Sequence, residues 1–351
     1  MIIPMQQKAL LLLEKKGRFS VETIDVPTPG PGEILVRLEA VSLNSVEWKI
    51  QTTDFVIDDF PAVLGQDAAG VVIQLGENVD MFSIGDKVFY QGFFKNRLAA
   101  FQQYSVASAD LVAKVPSNLS FDQAASIPLV FATATVGLYG SDWERGGAGL
   151  TPFWYPEGQD KYAGQPILII GGSSSVGQYA SQLAKLSGFS PVITTVSPQN
   201  YGLAKALGAT HVLNRNLSTK ELLREVKKIT AEPIQYVFNT IGSKPTQETS
   251  YGVLAPGGTL IQVVASLLDQ DKLVSEKKVL YIGGNFHFPP NRLLGAGLYS
   301  RLTDLFESGV LKPNNVEVIP GGLAAIPDAL ERLKKGEVSA RKLIVHPPET
   351  I

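Results

Sequence analysis

The residues with the plainest chemistry are Gly171-Gly172-Ser173-Ser174-Ser175-Val176-Gly177. They follow the apolar run Pro166-Ile167-Leu168-Ile169-Ile170 and open into a helical stretch, 178–186, closed by Gly188. Strand, small-residue turn and helix in this order make the first half of a dinucleotide-binding βαβ unit. A pyrophosphate seats on the free N–H groups of a helix start and meets their partial positive charge. Side chains larger than serine would hold it away. The spacing is Gly171-x-x-Ser174-x-x-Gly177, with serine where the complete fingerprint has its middle glycine. An ordinary tight strand-to-helix connection uses the same residue types, so the flanking elements carry the reading as much as the glycines do. The candidate cofactor contacts here are Gly171, Ser173, Ser174, Ser175, Val176 and Gly177.

The end of the second strand selects the dinucleotide. NAD-dependent sites place Asp or Glu there, about 20 residues on, to hold the ribose 2′-hydroxyl. Here the strand 192–196 runs into Ser197-Pro198-Gln199-Asn200-Tyr201, with no acid. No Asp or Glu occurs from Lys161 to Lys220, where an average stretch would hold about six. Lys185, Lys205, Arg215 and Lys220 remain. A 2′-phosphate carries about two negative charges, which a carboxylate would repel. Ser197, Asn200 and Tyr201 can instead donate hydrogen bonds to it. The expected cofactor is therefore NADPH. On the competing reading these residues only form the turn that starts the next helix.

At 351 residues the chain is long for one core and comfortable for two domains. A composition 44% hydrophobic and 18% charged is that of a globular protein. A net charge of −2 offers no footprint for nucleic acid and no polybasic patch for a membrane. The absence of cysteine removes disulfides, thiolate catalysis and Cys-ligated zinc. The three histidines, His211, His287 and His346, lack ligand spacing, so catalytic zinc is not expected. Residues 1–8 are too short and too broken by Pro4 for a signal peptide, and 9–13 is a strand-length run rather than a membrane span. The expected location is the cytoplasm.

These residues need elements to position them. The first part reads as β-rich, with strands over 9–13, 19–25, 33–42, 69–75, 101–107 and 111–114, divided by turns such as Pro27-Thr28-Pro29-Gly30-Pro31-Gly32. The character changes at Ser120, a plausible N-cap for a helix from Phe121. From Gln165 onward, strands over 167–170, 192–196, 211–213, 236–239 and 259–264 alternate with helices over 176–186, 200–207, 219–229 and 246–254. That alternation predicts a parallel sheet with helices on both faces. Residues 141–163, rich in Gly, Pro and aromatics, read as an inserted surface loop, either a linker or a lid. The end of the chain reads as helix 292–308, strand 316–319, helix 326–333 and strand 342–345.

A set of motifs in order resembles the medium-chain dehydrogenase/reductase superfamily over nearly the whole chain. They are Asn44-Ser45-Val46-Glu47-Trp48-Lys49, Gly65-Gln66-Asp67-Ala68-Ala69-Gly70, Gly85-Asp86-Lys87-Val88, Ile127-Pro128 with Thr133-Ala134, Gly171–Gly177, Leu207-Gly208-Ala209 and Ala340-Arg341-Lys342-Leu343. Within the superfamily the chain resembles the zinc-free quinone reductase and enoyl reductase branch, including fungal trans-acting enoyl reductases. The resemblance implies an α/β fold: a GroES-like β domain plus a Rossmann doubly wound parallel sheet. It implies a catalytic domain over 1–125, an NADPH-binding domain over 126–288 and a return to the first domain over 289–351. Zinc-dependent members carry Cys and His where this chain has Asn44 and Gly65-Gln66-Asp67. Some enoyl-thioester reductases carry a proton-donating Tyr after the Asn motif, and residues 50–55 contain none.

The reaction implied is hydride addition to a C=C bond activated by a carbonyl. The enolate that develops needs hydrogen-bond donors or a cation, and the final proton comes from water or a side chain. Thr133 matches a threonine whose hydroxyl lies near the nicotinamide; as an ordinary helix residue it would bond its own backbone. Lys49 could give positive charge to the cofactor or the enolate, or be a solvated surface lysine. Asn44 could orient the cofactor or cap the following helix. Gly70 serves close backbone packing. Phe286 and His287 follow Gly283-Gly284-Asn285, a segment expected to border the nicotinamide. Ile241, Val264 and Lys342 complete the cofactor contacts implied. The expected substrate is a small-molecule enone, enoyl thioester or quinone, free or bound to a carrier protein, and the chain is expected to be a monomer or homodimer. A quinone reductase and a non-catalytic NADPH-binding scaffold are the alternatives.

Overall fold

Apolar runs bounded by Pro and Gly become strands wherever both faces, or one, can be covered. The computed structural model describes residues 3–53 and 56–351; Asp54 and Phe55, the last of the stretch without Tyr, lie outside the described residues, as do Met1 and Ile2. The chain forms two units, one made of residues up to Leu129 with Gly295–Ile351, the other Val130–Leu294.

The first unit holds β1 (Gln6–Leu12), β2 (Phe19–Asp25), β3 (Glu33–Ser42), β4 (Ala62–Val63), β5 (Asp67–Leu75), β6 (Lys87–Gln91), β7 (Tyr104–Ser108) and β8 (Val112–Lys114). Helix α1 (Ser45–Thr52) follows β3, and α2 (Phe121–Ala125) follows β8. One sheet has the order β2-β1-β4. The larger has β3 paired to β5 and β7, with β6 and β8 beyond β5. Leu10, Leu12, Val36, Leu38, Val72, Tyr90 and Phe101 belong to its core. Residues 101–103 are not strand: Phe101 N–H donates across to Leu64 O (2.8 Å) and the Gln102 amide is buried against Gln7 (3.0 Å).

Gly70 is needed by sterics. A Cβ there would lie 2.1 Å from Arg37 O on the paired strand. Ser120 caps α2 as its position implies, with Gln123 N–H donating to its Oγ and the Gln123 amide reaching back to Ser120 N.

The second unit starts within α3 (Pro128–Tyr139) and alternates β9 (Ile167–Ile170), α4 (Ser175–Leu186), β10 (Val192–Val196), α5 (Tyr201–Ala206), β11 (His211–Asn214), α6 (Thr219–Ile229), β12 (Tyr236–Asn239), α7 (Lys244–Val253), β13 (Thr259–Gln262) and β14 (Lys278–Tyr281). All six strands are parallel in the order β11-β10-β9-β12-β13-β14. This is the doubly wound Rossmann arrangement, whose switch point lies between β9 and β12. Two details differ from the sequence reading. Helix α7 starts before Pro245, which the first turn tolerates because its missing N–H has no intrahelical partner there. Strand β14 is only four residues long and opens on a lysine that follows another, so periodicity did not reveal it. Among the described residues one helical stretch, Phe121–Tyr139, is long and apolar enough to cross a membrane; with 72% of its window buried it has the character of a core helix.

Residues 141–163 are not a bare surface loop. Leu150, Phe153 and Tyr162 are buried, Tyr162 stacks on Phe189 (4.8 Å), and Trp154 meets Tyr139 edge-on (5.2 Å). Aromatic burial of this size holds the arm against the second unit.

The chain returns to the first unit through α8 (Arg292–Glu307), β15 (Val316–Val318), α9 (Ile326–Lys334) and β16 (Lys342–Val345). Strand β16 pairs antiparallel with β3, Ile344 opposite Ser42, and β15 lies parallel beside it. After β16, His346 bridges Asp122 of α2 (2.8 Å) and Glu349 (3.0 Å).

Gly70→Ala is expected to destabilise the protein by about 1–3 kcal/mol, the cost of overpacking a site with no room to relax; chemical denaturation checks it. Burial alone would lower the His346 pKa, but its hydrogen bonds to the carboxylates of Asp122 and Glu349 outweigh it and raise the pKa. Its contribution is present below the ordinary histidine range and is lost as pH rises through the raised value. His346→Gln should lower the melting temperature by about 1–3 °C at pH 6 and scarcely at pH 9, and an equal loss at both would contradict the ion-pair account.

Candidate active site

The glycine turn is built by close approach. Gly171 has φ +87°, which disfavours any side chain. A Cβ on Gly172 would lie 2.0 Å from Thr194 Oγ1, and one on Gly177 would lie 2.2 Å from Gly171 O. Gly177 thereby brings α4 tight against the end of β9. Ser174 caps α4, its Oγ accepting from Gly177 N–H (3.0 Å) and bonding Thr240 Oγ1 (2.8 Å). Thr240 also bonds Ile170 O (2.9 Å), which ties β12 to the turn across the switch point. Ser173, Ser174, Ser175 and Val176 stay half-exposed at the helix start. This is a cradle that a side chain would fill, and it fits a dinucleotide pyrophosphate.

Two predicted contacts gather around it. Ile241, half-exposed, lies over Gly171, where a Cβ would come within 2.5 Å of its Cδ1. Val264 packs on Gly242, where a Cβ would come within 2.3 Å of its Cγ2. The Asn239 side chain fixes this turn by accepting from Ile241 N–H and Gly242 N–H, both 3.0 Å. Asn239 was not among the sequence candidates; an Asn ending a strand three residues before Gly242 was the available signal.

At the end of β10, Ser197 is half-exposed, Asn200 is buried and Tyr201 packs against Val196 and Ala204. Arg215 N–H donates to Val196 O (3.0 Å), so the exposed residue Arg215 is anchored beside the end of β10, next to Ser197. Thr133 of α3 packs directly on Gly284, whose Cβ would lie 2.3 Å from its Oγ1. Phe286 is buried, His287 is half-buried, and Asn285 Oδ1 accepts from His287 N–H (2.8 Å). Gly283 N–H donates to Arg145 O (2.7 Å), so the 141–163 arm braces this segment.

The remaining candidates lie in the first unit and form a buried polar cluster. Sheet register sets Ser42 opposite both Asp67 and Ile344, and Lys342 lies two residues from Ile344 on the same face. Asp67 Oδ2 accepts from Lys342 Nζ (2.9 Å), Ser42 Oγ (2.7 Å) and Asn44 Nδ2 (2.8 Å), and its Oδ1 accepts from Leu129 N–H (2.6 Å). Lys342 Nζ also donates to Asn44 Oδ1. Asn44 N–H donates to Glu47 Oε2 (2.7 Å), the acid half of a capping box on α1. Glu47 is fully buried, and its Oε1 has no hydrogen-bond partner. Burial pushes its pKa up to about 8; Lys342 pulls the value down and Asp67 pushes it up. Sequence reasoning passed over Glu47 as one residue of a motif. Lys49, one turn along α1 from Ser45, is half-buried over the Trp48 ring (5.7 Å), and burial lowers its pKa.

This cluster does not fit zinc. The chain has no thiolate, and among the described residues no group of three His, Cys, Asp or Glu could hold a metal ion. The Lys342 ammonium already bonds both Asp67 and Asn44.

Residues 30–117 match the alcohol dehydrogenase GroES-like domain and residues 175–285 match the family described as zinc-binding dehydrogenase. The chain is 33% identical to dehydrogenase azaJ of Aspergillus niger, covering 97% of this chain and 99% of that one. It is 28% identical to the trans-enoyl reductase grgB of a Penicillium species over 98% and 99% of the two chains. In structure it is similar to an alcohol dehydrogenase superfamily protein of Novosphingobium aromaticivorans, with TM-score 0.79, 24% identity and coverage of 97% and 99%. Sequence motifs, sheet order and these likenesses agree: the chain belongs to the medium-chain dehydrogenase/reductase superfamily, in its enoyl reductase and quinone reductase branch, and is an oxidoreductase of a family that binds a nicotinamide cofactor.

Proposed function

We propose that the protein is an NADPH-dependent, zinc-independent reductase of an activated C=C bond, either an α,β-unsaturated carbonyl or an enoyl thioester. The observation that carries the reaction class is the donor set of the first unit. Zinc is this family's usual means of stabilising an alkoxide, and no zinc donor set is present among the described residues. An enolate needs only hydrogen-bond donors or a cation, and in the first unit Lys49 and water are chemically sufficient. The name of the trans-enoyl reductase relative supports the substrate class.

The nicotinamide cofactor supplies the hydride when bound. The Gly171–Gly177 cradle would hold its pyrophosphate, with Ile241 and Val264 as apolar walls. Thr133, Phe286 and His287 would border the nicotinamide. The acid-free edge at Ser197, with Asn200, Tyr201 and the neighbouring Arg215, supports NADPH over NADH. Asn44 and Lys342 bond each other, so their part is to order the buried polar cluster of the first unit. The substrate is a small molecule, free or presented on a carrier protein.

NADPH oxidation, followed by absorbance against enones, enoyl thioesters and quinones, should show turnover of the first two, with saturated carbonyl products. Turnover of quinones alone would establish a quinone reductase instead. NADPH binding without turnover of any free substrate would leave the scaffold reading or a carrier-bound thioester, and a carrier-loaded thioester separates those two. Ser197→Asp should weaken NADPH binding about tenfold or more, the effect of about 1.4 kcal/mol of charge repulsion, and leave NADH binding equal or better. Arg215→Ala should weaken NADPH several-fold without affecting NADH. Equal effects on the two cofactors, measured by fluorescence titration, would refute the assignment of the 2′-phosphate site.

A further inference from the structure

We propose that Lys342 is the resident cation of the first unit, and that Glu47 is held beside it as a neutral acid, so that together they fix Asn44 and the first turn of α1 with no metal ion. This concerns the first unit alone and does not depend on the choice between NADPH and NADH.

The bonds form one continuous path from Leu129 through Asp67, Lys342 and Asn44 to Glu47, drawn from β5, β16 and the β3–α1 turn. Asp67 receives four donors, which is the setting of an ionised carboxylate. Its charge is matched by one ammonium, so Asp67 and Lys342 already sum to zero. Lys342 is 3% exposed and Glu47 and Asp67 are fully buried. An ionised Glu47 would add an unmatched buried charge, which is costly. Its geometry agrees: Oε2 accepts one hydrogen bond, from Asn44 N–H, and Oε1 accepts none, too few for a buried carboxylate to keep its charge. The titratable groups facing Glu47 are Lys342 from β16 and Asp67 from β5. Helix α9, which packs on α1, brings apolar Ile326 and Leu330 to the core.

Family likeness to zinc-binding dehydrogenases makes a metal ion the natural alternative. A divalent ion would have to displace the Lys342 ammonium from Asp67, and the other side-chain donors are the Asn44 amide, the Ser42 hydroxyl and the Glu47 carboxyl that already accepts from Asn44 N–H, a set with no thiolate or imidazole. The ammonium does the work of a cation here: it neutralises Asp67 and orients the Asn44 amide. Asn44 and Glu47 then set where α1 begins, and α1 carries Lys49.

The test uses the full chain, with thermal and urea unfolding from pH 5 to 9, zinc content by mass spectrometry, and chelator treatment. The unfolded Glu47 carboxyl ionises near its ordinary value and the folded one near 8. Unfolding therefore releases a proton between those values, and stability falls as pH rises through them. In the wild type the unfolding constant should climb by up to about tenfold per pH unit across that window. Glu47→Gln keeps the neutral shape and should lack this component of the climb. Lys342→Met should lower the melting temperature, as the buried Asp67 is left unmatched. The protein should contain no stoichiometric zinc, and chelator should leave its melting temperature unchanged. A bound zinc whose removal destabilises the protein would overturn the proposal. So would a Glu47→Gln variant with the full wild-type pH slope, a reading that stands even if Lys342→Met fails to fold.

Discussion

The first unit depends on one buried carboxylate. Asp67 stands at the start of β5 and collects Ser42 and Asn44 from the end of β3, Lys342 from β16 and the backbone of Leu129. These groups come from opposite ends of the chain, with 275 residues separating Lys342 from Asp67. A buried ion pair stabilises little by itself, since desolvation offsets much of its attraction. Losing one partner is costly, because the other charge stays buried. The pair therefore acts through geometry. It requires β16 to sit beside β3 in one register, since a slip of one residue would turn Lys342 to the opposite face.

The second unit rests on a different constraint, the distance between backbones. Gly172 and Gly177 let the turn after β9 touch Thr194 and lie under α4. Gly284 does the same against Thr133, and Gly171 against Ile241. At these four points a Cβ would fall well inside van der Waals contact. The first turn of α4 is thereby aimed at the C-terminal edge of the sheet, where open parallel sheets bind their ligands. The hydroxyls of Ser174 and Thr240 lock it there without taking up the half-exposed serines beside them.

Charge has separate uses in the two units. In the first, acid and ammonium are buried and matched, and Glu47 is spared a charge. In the second, the edge that follows β10 carries Ser197 with Arg215 alongside and no carboxylate. One unit thus offers a phosphate an edge without carboxylates, and the other holds a polar cluster whose residues do not suit zinc.

Local order alone fixed a good deal of this protein. The glycine turn, the strand–helix alternation after Gln165 and the cap at Ser120 were legible because each depends on neighbours within a few residues. The same holds for the missing acid after β10, which is a matter of residue type. Other features were decided only by tertiary structure. β14 is four residues long and has no pattern of its own, so its place comes from the edge it extends. The 141–163 arm has a loop's composition, yet its aromatics find Tyr139 and Phe189 and pack. Glu47 showed the widest gap. Its neighbours in sequence mark it as a helix N3 acid on a surface turn, the position of a capping box. Only sheet register brings Lys342 and Asp67 to it and closes water off. A pairing made across most of the chain leaves no trace in local spacing, and burial sets the charge that a carboxyl can keep.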